Sequence, residues 1–276
     1  MKKIGILYIC TGNYAVFWND FYKSFEKHFC NNSEIHYFVF SDKKIDFESN
    51  SRIHFHFIEN FPWPLVTLLR FHTFLSVLSD LESMDYLFFF NSNMICNADI
   101  SEEEFLPNSE EKLLFVRHPG YYHTKKIFIP YDRNKNCTAY VPYNCGGIYV
   151  IGAVEGGETQ AFLNMSNKLK VCIEKDLKKN LIAKWHDESQ INHYIYTIDN
   201  YKLLDPGYCY PVGFAVPFKR KISGVSKQDK FDIKSFKTIE EKKTFIKKLV
   251  NLLNNNCLPY FRYLKSTLLR EKIEVV

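Results

Sequence analysis

Chain breakers are scarce in this sequence: 11 glycines and 10 prolines among 276 residues. That argues against a sandwich or barrel built from many short strands and tight turns. No run of eighteen apolar residues occurs, so no membrane span is expected. The eight cysteines, at 10, 30, 96, 137, 145, 172, 209 and 257, include no C-x-x-C pair. They read as reduced thiols of a cytoplasmic protein, not as a disulfide framework or a zinc site. G-x-G-x-x-G and G-x-x-x-x-G-K-S/T are both missing, which weakens dehydrogenase and P-loop readings. Net charge is only +5 and no basic stripe interleaved with aromatics is present, so no nucleic-acid partner is expected. What the chain does hold is apolar bulk, with 46% hydrophobic residues, 25 Phe and 18 Tyr, which excludes a disordered or low-complexity protein.

Periodicity predicts an α/β protein. Lys3 to Cys10 alternates as a strand; its apolar stretch of about seven residues, with no small-residue cleavage site, is too short for a signal peptide. Thr11-Gly12-Asn13 then makes a turn, and apolar residues at 16, 17, 21, 25 and 29 have helical spacing. Glu34 to Phe40 and Arg52 to Ile58 alternate as strands, and Pro64 suits the opening of a helix reaching about Leu78. Tyr86 to Phe90 is apolar on both faces, as in a central strand covered by helices on each side. Strands are further expected at Leu113–Arg117 and Ile148–Ile151. Helices are expected from Glu158 to about Leu181, from Trp185 onward, and beyond Thr238. The order implies a mostly parallel sheet in a single domain spanning 1–276.

In such sheets ligands sit beyond the carboxyl ends of the strands. Two polar sites fall there, Thr11 to Tyr14 and Asn91-Ser92-Asn93, which makes a nucleotide ligand reasonable on placement alone. Asn91 to Asn93 would also serve as an ordinary strand-ending turn, since Asn tolerates turn geometry. His186, Asp187 and Glu188 are consecutive, so on a helix they point about 100° apart and cannot jointly chelate a metal. They are either a carboxylate cluster stabilised by a helix N-terminus or a nucleophile and its neighbours. Gly146-Gly147 is either a bulge before a strand or a close approach of backbone to ligand. The lysines at 219, 221, 227, 230 and 234 form a solvated face or neutralise a phosphate.

Taken in order, these pieces resemble glycosyltransferase family 6, which includes the mammalian ABO blood-group transferases, the α1,3-galactosyltransferase and bacterial enzymes. The resemblance runs from about Ile4 to Lys234. It is carried by Glu26-Lys27-His28-Phe29, His36 to Asp42, Asp85-Tyr86-Leu87 and Arg117-His118-Pro119-Gly120-Tyr121-Tyr122. Tyr131-Asp132-Arg133, Ala139-Tyr140-Val141-Pro142, Cys145-Gly146-Gly147 and Trp185-His186-Asp187-Glu188-Ser189 complete it. The last is the most specific, and it turns Glu188 from a capping residue into a candidate catalytic one.

The resemblance implies a GT-A-type nucleotide-binding fold with a mixed, mostly parallel sheet flanked by helices. Residues 1–100 would mainly bind UDP, 101–215 the donor sugar and acceptor, and 216–276 would close over the diphosphate as a basic segment. It implies a retaining enzyme moving Gal or GalNAc from a UDP-sugar to O3 of a β-galactoside. Carried over by position, Ile9, Cys10, Thr11 and Tyr14 contact uridine. Arg70, Asn91, Ser92, Asn93, Cys145, Gly146, Gly147, Asp187, Lys227 and Lys230 line the donor. His118, Thr138, Trp185 and His186 face the acceptor. Glu188 is the nucleophile, or the carboxylate that stabilises an oxocarbenium-like ion.

Mammalian members carry Asp-x-Asp, holding Mn²⁺ on the diphosphate, where this chain has Asn91-Ser92-Asn93. Neutral amides are much poorer ligands for a hard cation. No metal cofactor is therefore expected, and Lys227, with Lys230, is expected to offset the diphosphate charge. The small Gly146-Gly147 selector implies UDP-GalNAc as donor, with UDP-Gal as the alternative. Similarity to the blood-group branch implies a fucosylated acceptor such as 2′-fucosyllactose or H antigen. A sugar-binding protein that has lost catalysis is the alternative of another class. Mammalian members have an N-terminal anchor and stem, and a chain beginning at the catalytic domain implies a bacterial enzyme at the cytoplasmic side.

Overall fold

The computed structural model describes residues 1–45, 50–227, 230, 258–269 and 271–273. The helix expected beyond Thr238, and Lys234, lie largely or wholly outside the described residues. Nine strands are described: β1 (Lys3–Ile9), β2 (Glu34–Ser41), β3 (Ile53–Phe57), β4 (Tyr86–Phe90), β5 (Met94–Cys96), β6 (Leu113–Arg117), β7 (Val150–Glu158), β8 (Lys202–Leu204) and β9 (Ile222–Gly224). The helices are α1 (Trp18–His28), α2 (Leu65–Leu68), α3 (Arg70–Leu75), α4 (Leu78–Leu81), α5 (Glu102–Phe105), α6 (Thr159–Lys178), α7 (His186–Tyr194) and α8 (Leu258–Leu268).

Seven strands form one sheet in the order β3-β2-β1-β4-β7-β6-β8, and β5 pairs with β9 in a separate two-stranded sheet. Only β7 runs against the other six strands. The result is the expected GT-A-like, mostly parallel sheet, with β4 at its centre. Both faces of that strand are covered. On one side Trp18, Phe21 and Phe25, at helical spacing on α1, pack with Tyr8, Tyr37 and Phe90. On the other, Phe71 and Phe74 of α3 and Phe162 and Leu169 of α6 pack with Phe38, Leu87 and Phe89. Each such ring contributes roughly 1.5–3 kcal/mol by leaving water, so the apolar run from Tyr86 to Phe90 sets the middle of the molecule.

Two elements differ from expectation. The segment after Pro64 is three short helices, not one. The strand expected at Ile148–Ile151 instead runs from Val150 to Glu158, through Gly156-Gly157. Those glycines are there for contact: a Cβ on Gly156 would stand 2.2 Å from the Leu87 carbonyl oxygen and from Phe88 Cδ1. Strand β7 also carries a bulge. Phe115 faces Glu155 and Arg117 faces Val150, so two steps on β6 (115 to 117) span five on β7 (155 to 150). Residues 151 to 154, four against the single Val116, lie at the carboxyl-end edge of the sheet, where Asn91 N–H donates to the Ala153 carbonyl at 2.9 Å. Bulges re-aim side chains beside functional sites, and here the bulge carries Gly152 to the buried cluster that Glu155, still in register with Phe89 and Phe115, also meets.

Candidate active site

Glu188 sits in the first turn of α7. Its Oε1 accepts from the Tyr149 hydroxyl at 2.9 Å and its Oε2 from the Gly152 N–H at 2.9 Å. Burial pushes its pKa up to about 7, against the pull of the Gly152 and Tyr149 hydrogen bonds, so both protonation states are populated near neutrality. Tyr149, which sits just ahead of β7, has its own pKa raised, first by burial and then by Glu188.

Arg70 is 3% exposed at the start of α3. Its Nη1 donates to the Gly152 carbonyl at 2.6 Å and lies 3.1 Å from Asp187 Oδ2. Its Nη2 stands 2.8 Å from Glu155 Oε1, close enough for an ion pair but not aligned as a hydrogen bond. Phe89 underlies the guanidinium at 4.4 Å. Both backbone polar groups of Gly152 are thus held, the N–H by Glu188 and the C=O by Arg70. Burial raises the pKa of Asp187 too, opposed by Arg70.

The residues expected to meet the nucleotide lie at the carboxyl end of β1. Ile9 is half-buried, and Cys10 and Thr11 are buried. Gly12 N–H donates to Asp42 Oδ1 at 2.7 Å, closing the turn before Tyr14. Asn93 bonds twice to Val225: its Nδ2 donates to the Val225 carbonyl at 2.8 Å, and its own carbonyl accepts from Val225 N–H at 2.7 Å. Two residues later, Lys227 Nζ stands 5.0 Å from the Tyr14 ring centroid. Asn91-Ser92-Asn93 therefore ties the basic segment down beside Tyr14, while the buried Ser92 gives its carbonyl to the Tyr8 hydroxyl at 3.1 Å. These residues do not fit a manganese site. The side chains are neutral, one amide is committed to a carbonyl, and no group of three His, Cys, Asp or Glu suited to a metal occurs among the described residues.

Of the residues expected at the acceptor, His118 packs against Tyr121 and Tyr149, and its Nδ1 accepts from Gly120 N–H at 2.9 Å. Burial lowers its pKa to about 4, so it is neutral at pH 7 with its proton on Nε2. Trp185 is 46% exposed, and His186 meets Trp63 edge-on at 5.0 Å. These groups converge on Glu188 through Tyr149 and α7.

Five expected residues are placed elsewhere. Thr138 Oγ1 donates to Asp176 Oδ2 at 2.7 Å and its N–H to Asp176 Oδ1 at 2.9 Å, so its polar groups serve a buried structural knot with Gln190. Lys230 pairs with Asp20 at 3.3 Å on the surface. Gly146 and Gly147 lie against Tyr131: a Cβ on Gly146 would stand 2.6 Å from that ring, and Gly147 N–H donates to its hydroxyl at 3.0 Å. Tyr131 in turn meets the Tyr149 ring at 5.4 Å, and Tyr149 donates to Glu188. Cys145, half-buried, is next to Asn144, whose Nδ2 donates to the Glu271 carbonyl at 3.0 Å just after α8. The glycine that does touch the carboxylate is Gly152, where a Cβ would meet Glu188 Cβ at 3.1 Å. Gly152, Tyr149 and Glu155 were not singled out from the sequence. Their one signal is a lone acid in an otherwise apolar run.

The family model for glycosyltransferase family 6 matches residues 2–232. The chain belongs to glycosyltransferase family 6. It is 41% identical to the O-antigen biosynthesis glycosyltransferase WbnI of Escherichia coli over 70% of this chain and 82% of that protein. It is 25% identical to globoside alpha-1,3-N-acetylgalactosaminyltransferase 1 of Gallus gallus, and 24% identical to histo-blood group ABO system transferase 2 of Rattus norvegicus. Each of these alignments covers 75% of this chain. The chain spans 61% and 63% of those two animal relatives. The seven described cysteines are free thiols, and no helix among the described residues is long and apolar enough to cross a membrane.

Proposed function

We propose that this family 6 protein is a retaining transferase that moves a galactose-type sugar from its UDP donor to O3 of a β-galactoside, without a divalent metal. The carrying observation is the buried Glu188 carboxylate, fixed by Tyr149 and Gly152 at the carboxyl edge of the sheet. The bond from the anomeric carbon to the diphosphate breaks, and its electron pair leaves on UDP. Ionised Glu188 either bonds that carbon or stabilises the oxocarbenium-like ion. The acceptor oxygen then bonds the carbon and its proton passes to the departing phosphate. Lys227, beside Tyr14, supplies positive charge at the nucleotide end. The Asn93–Val225 pairing supports the metal-free reading, because an aspartate at 93 could not donate to that carbonyl.

GalNAc is the donor sugar suggested by the names of the animal relatives. Galactose is favoured by a specific observation: the glycine against Glu188 is Gly152, flanked by Ile151 and Ala153, and the Gly146-Gly147 pair packs against Tyr131. A single glycine leaves less room for an N-acetyl group. The acceptor is proposed to be a fucosylated H-type galactoside, and the site of action cytoplasmic.

Transfer to 2′-fucosyllactose is to be measured from UDP-GalNAc and UDP-Gal in competition, each with EDTA and with Mn²⁺. The expected result is product from one donor at a rate that EDTA leaves unchanged. A rate that EDTA removes and Mn²⁺ restores would sink the metal-free reading. UDP release without transfer would move the error to the acceptor.

A further inference from the structure

Glu155 is fully buried, yet it is a carboxylic acid facing phenylalanines of both neighbouring strands, Phe89 on β4 and Phe115 on β6. Neither of its oxygens has an aligned hydrogen bond, and the charged group it meets is Arg70 Nη2 at 2.8 Å. An aliphatic side chain would fill the same space without a desolvation penalty, so packing does not account for an acid here. Arg70 is what the acid touches, and Arg70 in turn holds the carbonyl of Gly152, whose N–H holds Glu188.

We infer that Glu155 is a positioning residue: it orients the Arg70 guanidinium so that Nη1 reaches Gly152 and Asp187, and through that peptide it fixes where the Glu188 carboxylate stands. This rests on Glu188 being the catalytic carboxylate. The charged and titratable groups around it are Arg70 from α3 and Asp187 and Glu188 from α7; Tyr149, Tyr121 and Cys209 feel the charge of Glu188 in turn. Three carboxyl groups thus share one guanidinium. With all three ionised the pocket would carry excess negative charge, so one is held neutral. Burial raises Glu155 to about 8, above Glu188 at about 7, so Glu155 keeps its proton to higher pH than Glu188. As pH rises past that value Glu155 ionises, draws on Arg70, and weakens the hold of Arg70 on Gly152 and Asp187.

The test is kcat, donor KM and their pH profiles for wild type, Glu155→Gln and Glu155→Leu, with Glu188→Gln alongside. Wild-type kcat is expected to fall about tenfold between pH 7.5 and 9, one pH unit above the Glu155 transition. Glu155→Gln, neutral but still an acceptor for Arg70, should keep kcat within about threefold at pH 7.5 and lose that alkaline limb. Glu155→Leu should lower kcat about tenfold or more with little change in donor KM, the pattern of a misplaced catalytic group. Wild-type kcat and pH profile in folded Glu155→Leu would overturn the assignment. If that variant does not fold, an unchanged alkaline limb in Glu155→Gln overturns it equally. Loss of transfer in Glu188→Gln beside wild-type behaviour of both Glu155 variants removes Glu155 alone, whereas full activity in Glu188→Gln removes both.

Discussion

Replacing Glu188 by Gln is expected to lower kcat by ~10³-fold or more while UDP affinity stays within about twofold. Glutamine keeps the shape, and its amide nitrogen can donate to the Tyr149 hydroxyl oxygen where the carboxylate accepted, but it carries no charge to meet a developing cation. Gly152 N–H can still donate to its carbonyl oxygen, so α7 and the β7 bulge should stay in place. Turnover and calorimetric titration with UDP separate chemistry from binding. A variant with unchanged turnover would show that the carboxylate is a capping residue of α7, the alternative left open by the residues alone.

Arg70→Met should have the largest effect on stability. It leaves Glu155, Asp187 and Glu188 buried without their cation. Breaking a buried ion pair from one side costs about 3–5 kcal/mol. The pH dependence follows in sign. Burial already raises the pKa of all three acids, and loss of Arg70 raises them further. An acid whose folded pKa lies above its unfolded value contributes stability that is complete below the unfolded pKa and is lost as pH rises through the folded one. Arg70→Met should therefore melt much lower than wild type at pH 8 and recover part of the difference at pH 5. Its transfer activity should fall ~10²-fold or more, since the Gly152 peptide loses one of its two anchors. Equal melting temperatures at pH 8 would show that the carboxyl groups are neutral without the guanidinium.

The period of the apolar residues made the order of the fold legible. Alternation marked β1, β2 and β3, helical spacing marked α1, and the uninterrupted run at Tyr86–Phe90 marked the centre of the sheet. The motif from Trp185 to Ser189 marked α7 and the acid on it. What escaped depends on contacts distant in sequence. Nothing local to Ile151–Glu158 shows that the strand extends through two glycines, because those glycines answer to Leu87, Phe88 and the loop before β6. The bulge that turns Gly152 toward Glu188 is a matter of register between β6 and β7. Strands β5 and β9 have three residues each and meet across more than a hundred positions, too short for a period to show. Thr138 and Gly146-Gly147 show the converse limit: a motif position names a residue type, while its partner, here Asp176 or Tyr131, decides what that residue does.

The account stands most directly on the stereochemistry of the new bond. Product made from either UDP-sugar and 2′-fucosyllactose is to be isolated, and its anomeric configuration and linkage position read by proton and carbon NMR. A retaining reaction assisted by Glu188 predicts an α linkage to O3 of galactose. A β linkage would mean that the acceptor attacks from the face opposite UDP, with no place for a carboxylate assisting departure and attack on one face or in two displacements, and would contradict the account.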